Sequence, residues 1–262
     1  MDPISIVGVI FVLVGVFAGS LLKGVSPVAF FQVPAAFLIV IVASLGAGMV
    51  SAGATEVKSL VKLLLKSLKK APHPQPGEVI GQIVSFAEQA RREGLLALES
   101  QLGEVKDPFL QRGLQLAVDG VDSETVRDMM ETEVRAMKER HKAGAKFMTS
   151  IGVFAPTFGI IGAVIGLIAT LSHLDDPSKL GHGIAAAFIA TFWGVFVANG
   201  IFLPAANKLA RLSADEAAYK ALIIEGVLSI QGGANPRTVG DLLRAYLPPA
   251  QVRKLDEELK SA

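Results

Sequence analysis

The sequence predicts an all-α integral membrane protein with four transmembrane helices, long cytoplasmic helical extensions and a compact helical cytoplasmic domain. Hydrophobic residues make up 51% of the 262 and charged residues only 19%, more apolar than a water-soluble domain of this size. The charges are also missing in blocks: Pro3 to Leu22, Gly24 to Thr55, Phe147 to Leu174 and Leu180 to Asn207 contain no Lys, Arg, Asp or Glu. Each block holds the roughly 20 residues a helix needs to cross about 30 Å of hydrocarbon, where one charge costs about 2.5–3.5 kcal/mol. β-branched alternation is absent elsewhere, so no sheet is expected.

The first block is flanked by an acidic Asp2 where a cleaved signal would carry basic residues, which favours a retained first span. Between Glu56 and Lys146 lie 15 of the 25 Lys and Arg residues, and eight more follow Asn207. Basic residues stay on the cytoplasmic side, which places both stretches and both termini in the cytoplasm. The expected organisation is therefore 1–55 for the first two spans, 56–146 for a cytoplasmic domain, 147–207 for the last two spans and 208–262 for a cytoplasmic tail.

Past the second span, Val57 to Lys70 sets Leu60, Val61, Leu64, Leu65 and Leu68 on one helical face and five lysines around the others. It reads as the second transmembrane helix continuing beyond the headgroups and anchored on anionic membrane lipid. Pro72 to Gly77 (PHPQPG) breaks that helix. One further helix is expected over Glu78 to Leu102, where apolar residues recur at helical spacing, and another over Pro108 to Val118. Asp122 or Ser123 caps a third, whose stripe of Val126, Met129, Met130, Val134 and Met137 runs straight into the third span. The Met stripe is packing and not a metal box.

A net charge of +1 gives no attraction to nucleic acid, and zero cysteines exclude thiolate chemistry. The chain holds no phosphate loop, nucleophile elbow or metal-ligand cluster, and His73, His141, His173 and His182 are scattered, so neither an enzyme nor a cofactor is expected. Its spans lack the carboxylate that a self-contained proton relay needs. Either the chain conducts nothing, or a partner polypeptide supplies the ionisable group. Small residues at Gly159 to Leu167 and Gly183 to Thr191 allow close helix packing, within the chain or with a partner. Pro156 and Pro204 interrupt the last two spans, either as hinges or, for Pro204, as a helix end.

The segments ARREGLLALE (Ala90 to Glu99), DPFLQRGLQLAVDG (Asp107 to Gly120), APTFGIIGAVIGLI (Ala155 to Ile168) and GVFVANGIFLPAANKL (Gly194 to Leu209) resemble the MotA/PomA family of flagellar motor stator proteins, related to ExbB and TolQ. The likeness extends through LDDPSKLGHGIA (Leu174 to Ala185) to GANPRTVGDLLRAYLPP (Gly233 to Pro249). It implies a homo-oligomeric ring, in the family a pentamer, around the spans of a MotB-type partner whose aspartate carries the ion. It also implies torque on the rotor switch protein through Arg91, Arg92 and Glu99, conformational roles for Pro156 and Pro204, and an ion path beside Thr191. Read from the residues alone, Arg91, Arg92 and Glu99 are the solvated face of one helix.

One departure bears on the ion. Sodium-driven relatives carry a threonine where this sequence has Ala163; a hydroxyl helps ligate a dehydrated hard cation and a methyl does not. H+ is therefore expected over Na+. The competing readings are an ExbB- or TolQ-like motor, which normally has three spans, and a non-conducting membrane scaffold.

Overall fold

The computed structural model describes residues 2–70, 76–172, 177–247, 249 and 251–253. Pro72 to Gln75 of the expected break, Leu174 to Asp176 between the last two blocks, His73, His173 and the end of the tail from Lys254 lie outside the described residues; Pro76 and Gly77, expected in the break, are instead the first two residues of a helix, where a proline's missing donor costs nothing. Every regular element among the described residues is helical. The chain divides into two compact units, one of residues 1–70 and 140–211 and one of residues 71–139 and 212–262.

In the first unit, α1 (Pro3–Leu22) opens where Asp2 accepts from the Ile4 amide and Pro3 occupies the first helical turn, a position whose missing N–H costs nothing. None of its residues is buried. The second charge-free block is not one helix. It runs through a 3₁₀ turn at Pro27–Phe31, α2 (Pro34–Phe37), a π turn at Leu38–Val42 and α3 (Ala43–Val50). Pro27 and Pro34 each start a new helical segment, because a ring without a donor suits a first turn and breaks an interior one. Among the described residues three helices are long and apolar enough to cross a bilayer by themselves; Pro34–Val50 is shorter.

The helix expected to continue from this block through Val57 to Lys70 is also interrupted. Ser51 closes α3, Gly53 is extended, and α4 (Ala54–Lys58) and α5 (Leu60–Ser67) follow as separate short helices. α5 keeps the amphipathic pattern, with Leu60, Leu63 and Leu64 packed on the core and Lys62 exposed.

Two long helices supply the rest of this unit. α8 (Ser123–Leu171) passes through Pro156 without a break. α9 (Pro177–Val197) continues through a π turn at Ala198–Phe202 into α10 (Leu203–Gln231). Pro204 therefore does not end its helix. Its ring removes the donor to the Gly200 carbonyl and crowds it, and the wider π turn around Gly200 absorbs that conflict. An aromatic cluster of Phe17, Phe30, Phe192, Trp193 and Phe196 holds α1 and the 3₁₀ turn against α9. The Trp193 indole donates to the Phe30 carbonyl at 2.7 Å, satisfying the one polar atom of the cluster.

The second unit is built from α6 (Pro76–Glu93), α7 (Pro108–Val118), the first part of α8, the end of α10 and α11 (Pro236–Arg244) around Ile83, Leu98, Leu110, Leu114, Leu222 and Ile223, all fully buried. The single helix expected from Glu78 to Leu102 is split: Gly94 takes φ +86, which ends α6, and a 3₁₀ helix follows over Leu95–Glu104. Glycine reaches that left-handed region without a Cβ penalty. Asp107 caps α7 by accepting from the Phe109 and Leu110 amides at 2.8 and 3.0 Å. Its other oxygen accepts from the Tyr219 hydroxyl at 2.8 Å, so one carboxylate ties α7 to α10. Burial, reinforced by that hydrogen bond, pushes the Tyr219 phenol above its ordinary value.

Candidate functional site

The apolar halves of α8 and α9 are where the sequence concentrates small residues, and the structure spends them on one intrachain seam. A β-carbon on Gly194 would lie 2.7 Å from the Ala155 carbonyl oxygen, 3.0 Å from the Gly159 Cα and 3.1 Å from the Pro156 Cα. One on Gly159 would lie 3.0 Å from the Ala190 carbonyl oxygen and 3.3 Å from the Thr191 Cα. Further along, Gly162 meets Ala190 and Gly166 meets Ala187. Backbones this close gain dispersion contacts that side chains would prevent, which is the packing a bilayer rewards.

This seam brings three of the expected residues onto one stretch of helix pair. Pro156 and Thr191 sit on either side of the Gly159–Gly194 contact, and Ala163, half-buried, lies seven residues on from Pro156 along the same face of α8. Thr191 is half-buried and its hydroxyl reaches the Ala187 carbonyl at 3.5 Å, a long and weak bond that leaves the oxygen free for another donor. Thr191 and Asn199 also border a crevice of about 500 Å³ with Val12, Phe188, Val195 and Gly200. Asn199 returns its amide to the Val195 carbonyl at 3.0 Å. Its walls carry no ionisable side chain, so a charge passing here would need a counter-group from elsewhere.

Pro204 is not part of this cluster. It is exposed, just past the π turn, and borders a different crevice with Gly8, Val12, Leu65 and Lys208. The two prolines are nonetheless linked through their neighbours. Gly152, whose carbonyl Pro156 leaves without its helical donor, packs against Leu203, with a β-carbon there 2.8 Å from the leucine side chain and 3.4 Å from its backbone nitrogen.

In the second unit Arg91 and Arg92 occupy the last turn of α6, where the helix dipole favours cations. Glu99 lies beyond the Gly94 turn on the 3₁₀ helix, so the three are not one helical face as the spacing suggested. All three are exposed, and none has an ion-pair partner among the described residues. Leu96, 72% exposed, stands between them in sequence. Some of the unit's other charges form ion pairs among the described residues. Glu133 holds Arg112 at 2.7 Å and Lys220 at 3.4 Å, and Arg127 holds Glu225 at 2.8 Å.

Sequence reasoning missed the polar clamp at the start of α1. Asp2 pairs with Lys208 of α10, accepts from the Ser5 hydroxyl at 2.9 Å, and gives its own amide to the Leu68 carbonyl at 2.8 Å. The hydrogen bonds from Lys208 and then Ser5 hold its carboxyl down at about 2. The Asp2-Pro3 dipeptide is a helix-start signal, but no local pattern pairs position 2 with position 208.

The Motility protein A N-terminal family matches residues 6–94, and the MotA/TolQ/ExbB proton channel family matches residues 101–221. The chain is 43% identical over 258 residues to Motility protein A of Bacillus subtilis, covering 98% of this chain and 95% of that one. Its structure is similar to that of the flagellar MotAB stator complex from Bacillus subtilis, with a TM-score of 0.91, 43% identity and coverage of 97% and 99%. It is also similar to the MotAB structure from C. jejuni, with a TM-score of 0.90, 34% identity and coverage of 95% and 97%.

Proposed function

The chain belongs to the MotA/TolQ/ExbB proton channel family, and from that membership we infer that it is the ring-forming stator subunit of a flagellar motor. In this reading it works with a MotB-type single-span partner and turns ion flow into torque. The observation that carries the mechanism is the α8–α9 seam: two helices packed backbone to backbone, with Thr191 and Pro156 flanking the Gly159–Gly194 contact and no ionisable group to hold an ion. Such a wall needs the partner's aspartate, and each ion that neutralises that carboxylate changes what the wall can pack against. The match of residues 6–94 to the Motility protein A N-terminal family favours a stator over an envelope-energising ExbB or TolQ motor.

In that assembly the chain forms a homo-oligomeric ring, a pentamer, in the bacterial inner membrane. Pro34–Val50 serves as the second of four spans, and both termini are cytoplasmic. Its 17 residues give about 26 Å of helix at 1.5 Å per residue, close to the thickness a bilayer thins to accept. Thr191 lines the ion path, Ala163 sets proton coupling by its lack of a hydroxyl, and Pro156 and Pro204 are the points where the wall flexes. Arg91, Arg92 and Glu99 push on the rotor switch protein, and their free charges support that role. No enzymatic step or cofactor is involved.

The test is proton flux into liposomes containing the chain and its partner. The pair should conduct, the chain alone should be silent, and changing the partner's aspartate to asparagine should abolish the flux. A pair that leaves the pH gradient intact would reduce the chain to a scaffold.

A further inference from the structure

A second crevice, of about 560 Å³, lies in the first unit between α1, α5 and the helix around Pro204. Its apolar walls include Gly8, Val12, Leu65, Leu68, Ile201 and Pro204. The Asp2–Lys208 pair and the bond from the Asp2 amide to the Leu68 carbonyl mark one end. That end is where the charge-free part of α1 begins, at Pro3. From Ser5 to Val12 the crevice therefore runs about 10 Å inward from the charged layer, at 1.5 Å per residue.

α5 and the residues flanking it carry positive charge that nothing neutralises among the described residues. Lys62 and Lys69 stand three residues before and four residues after Leu65, which is half exposed and lines the crevice, and Lys58 and Lys70 are exposed beside them. None of the four has an ion-pair partner among the described residues. A second copy of this unit is poorly suited to cover them. Its only carboxylates are Asp2, Glu56, Asp175 and Asp176, and the first is already committed to Lys208. A group with an apolar tail and a phosphate head satisfies both features at once.

We propose that this crevice binds an anionic phospholipid, with one acyl chain against Gly8, Val12 and Pro204 and the phosphate on Lys62 and Lys69. The proposal rests on the reading that α1 spans the membrane. The seated chain lies against Ile201, within the π turn at Ala198–Phe202, and against Pro204 just past it.

The test uses the full chain in nanodiscs of phosphatidylcholine and phosphatidylglycerol at a molar ratio of about 3:1, released for native mass spectrometry. Wild-type protein should retain phosphatidylglycerol at least threefold over its share in the disc. Gly8→Leu should lose that lipid, because Gly8 lines the crevice and a β-carbon there meets nothing within 4 Å, leaving the added side chain room to occupy it. Lys62→Glu with Lys69→Glu should lose the preference for phosphatidylglycerol but keep the chain's retention of phosphatidylcholine. Full retention in Gly8→Leu would overturn the proposal. So would a Gly8→Leu variant whose oligomer mass changes while its lipid does not, which would make the crevice a subunit interface. Carbonate extraction of each variant reads insertion separately: protein that inserts but holds no lipid refutes the crevice alone, and protein that is extracted refutes the spanning reading.

Discussion

Gly194 faces Gly159 so closely across α8 and α9 that a β-carbon on Gly194 would sit 3.0 Å from the Cα of its partner. Nothing but hydrogen fits there, and the backbone atoms of Ala155 and Pro156 behind it cannot rotate away as a side chain would. The replacement Gly194→Val should therefore separate the helices at the level of Thr191, at a cost of about 1–3 kcal/mol or more from overpacking. Thermal unfolding of the detergent-purified protein should report the loss, and swimming should stop. A variant with wild-type melting and motility would mean that the seam opens freely.

The Asp2–Lys208 clamp gives a pH dependence with a definite sign. The Asp2 carboxyl titrates near 2 in the folded protein, against 3.8 in the unfolded chain. The unfolded state thus binds the proton more readily, and stability rises with pH through this window. The clamp's contribution is fully present above about pH 4 and is lost as pH falls from 3.8 toward 2. Other carboxylates titrate there too, so the quantity to measure is the difference in melting temperature between wild type and Lys208→Met. It should be constant at neutral pH and shrink below pH 4; a difference independent of pH would remove the clamp.

Arg91 projects from the last turn of α6 with no ion pair to lose among the described residues. Arg91→Glu should leave stability within about 0.5 kcal/mol and stator assembly intact, while torque on a tethered cell drops. Loss of assembly instead of torque would assign the residue a structural role.

Proton coupling at an Ala163-type wall predicts that swimming survives complete replacement of sodium by potassium and collapses with a protonophore. Thr191→Ala should lower the ion flux with little loss of stability, because its hydroxyl is held only by a 3.5 Å bond to Ala187. Sodium-dependent swimming would reverse the ion assignment.

Asp107 uses both carboxylate oxygens, capping α7 with one and accepting from Tyr219 with the other. Tyr219→Phe should cost about 1 kcal/mol, the net worth of one hydrogen bond. Asp107→Ala, which also removes the cap, should cost more by about another 1 kcal/mol. Equal losses in denaturant unfolding of the two variants would show that the cap contributes nothing.

Helix existence was legible wherever a single local rule decided it. Pro3–Leu22 and Pro108–Val118 have the expected bounds, since in each an acidic cap followed by proline marks the start. The interruptions were less legible. Gly94 and Gly53 sit inside patterns with helical periodicity, and periodicity counts apolar residues without registering a backbone angle. At Pro204 the sequence left a hinge and a helix end open, and the compensating π turn at Ala198–Phe202, which no local pattern signals, lets α10 continue.

By itself, the sequence determined that the spans carry no charge, that the basic residues gather in 56–146 and after Asn207, and that the motifs are those of a stator family. These are properties of composition and order along the chain, and desolvation energy acts on them residue by residue. Tertiary structure decided that the small residues of α8 and α9 pack on each other, that Pro156 and Thr191 flank the Gly159–Gly194 contact while Pro204 borders another crevice, and that Asp2 closes on Lys208. Those pairings join residues far apart in the chain, and their energies exist only once the helices approach to a specific distance and register.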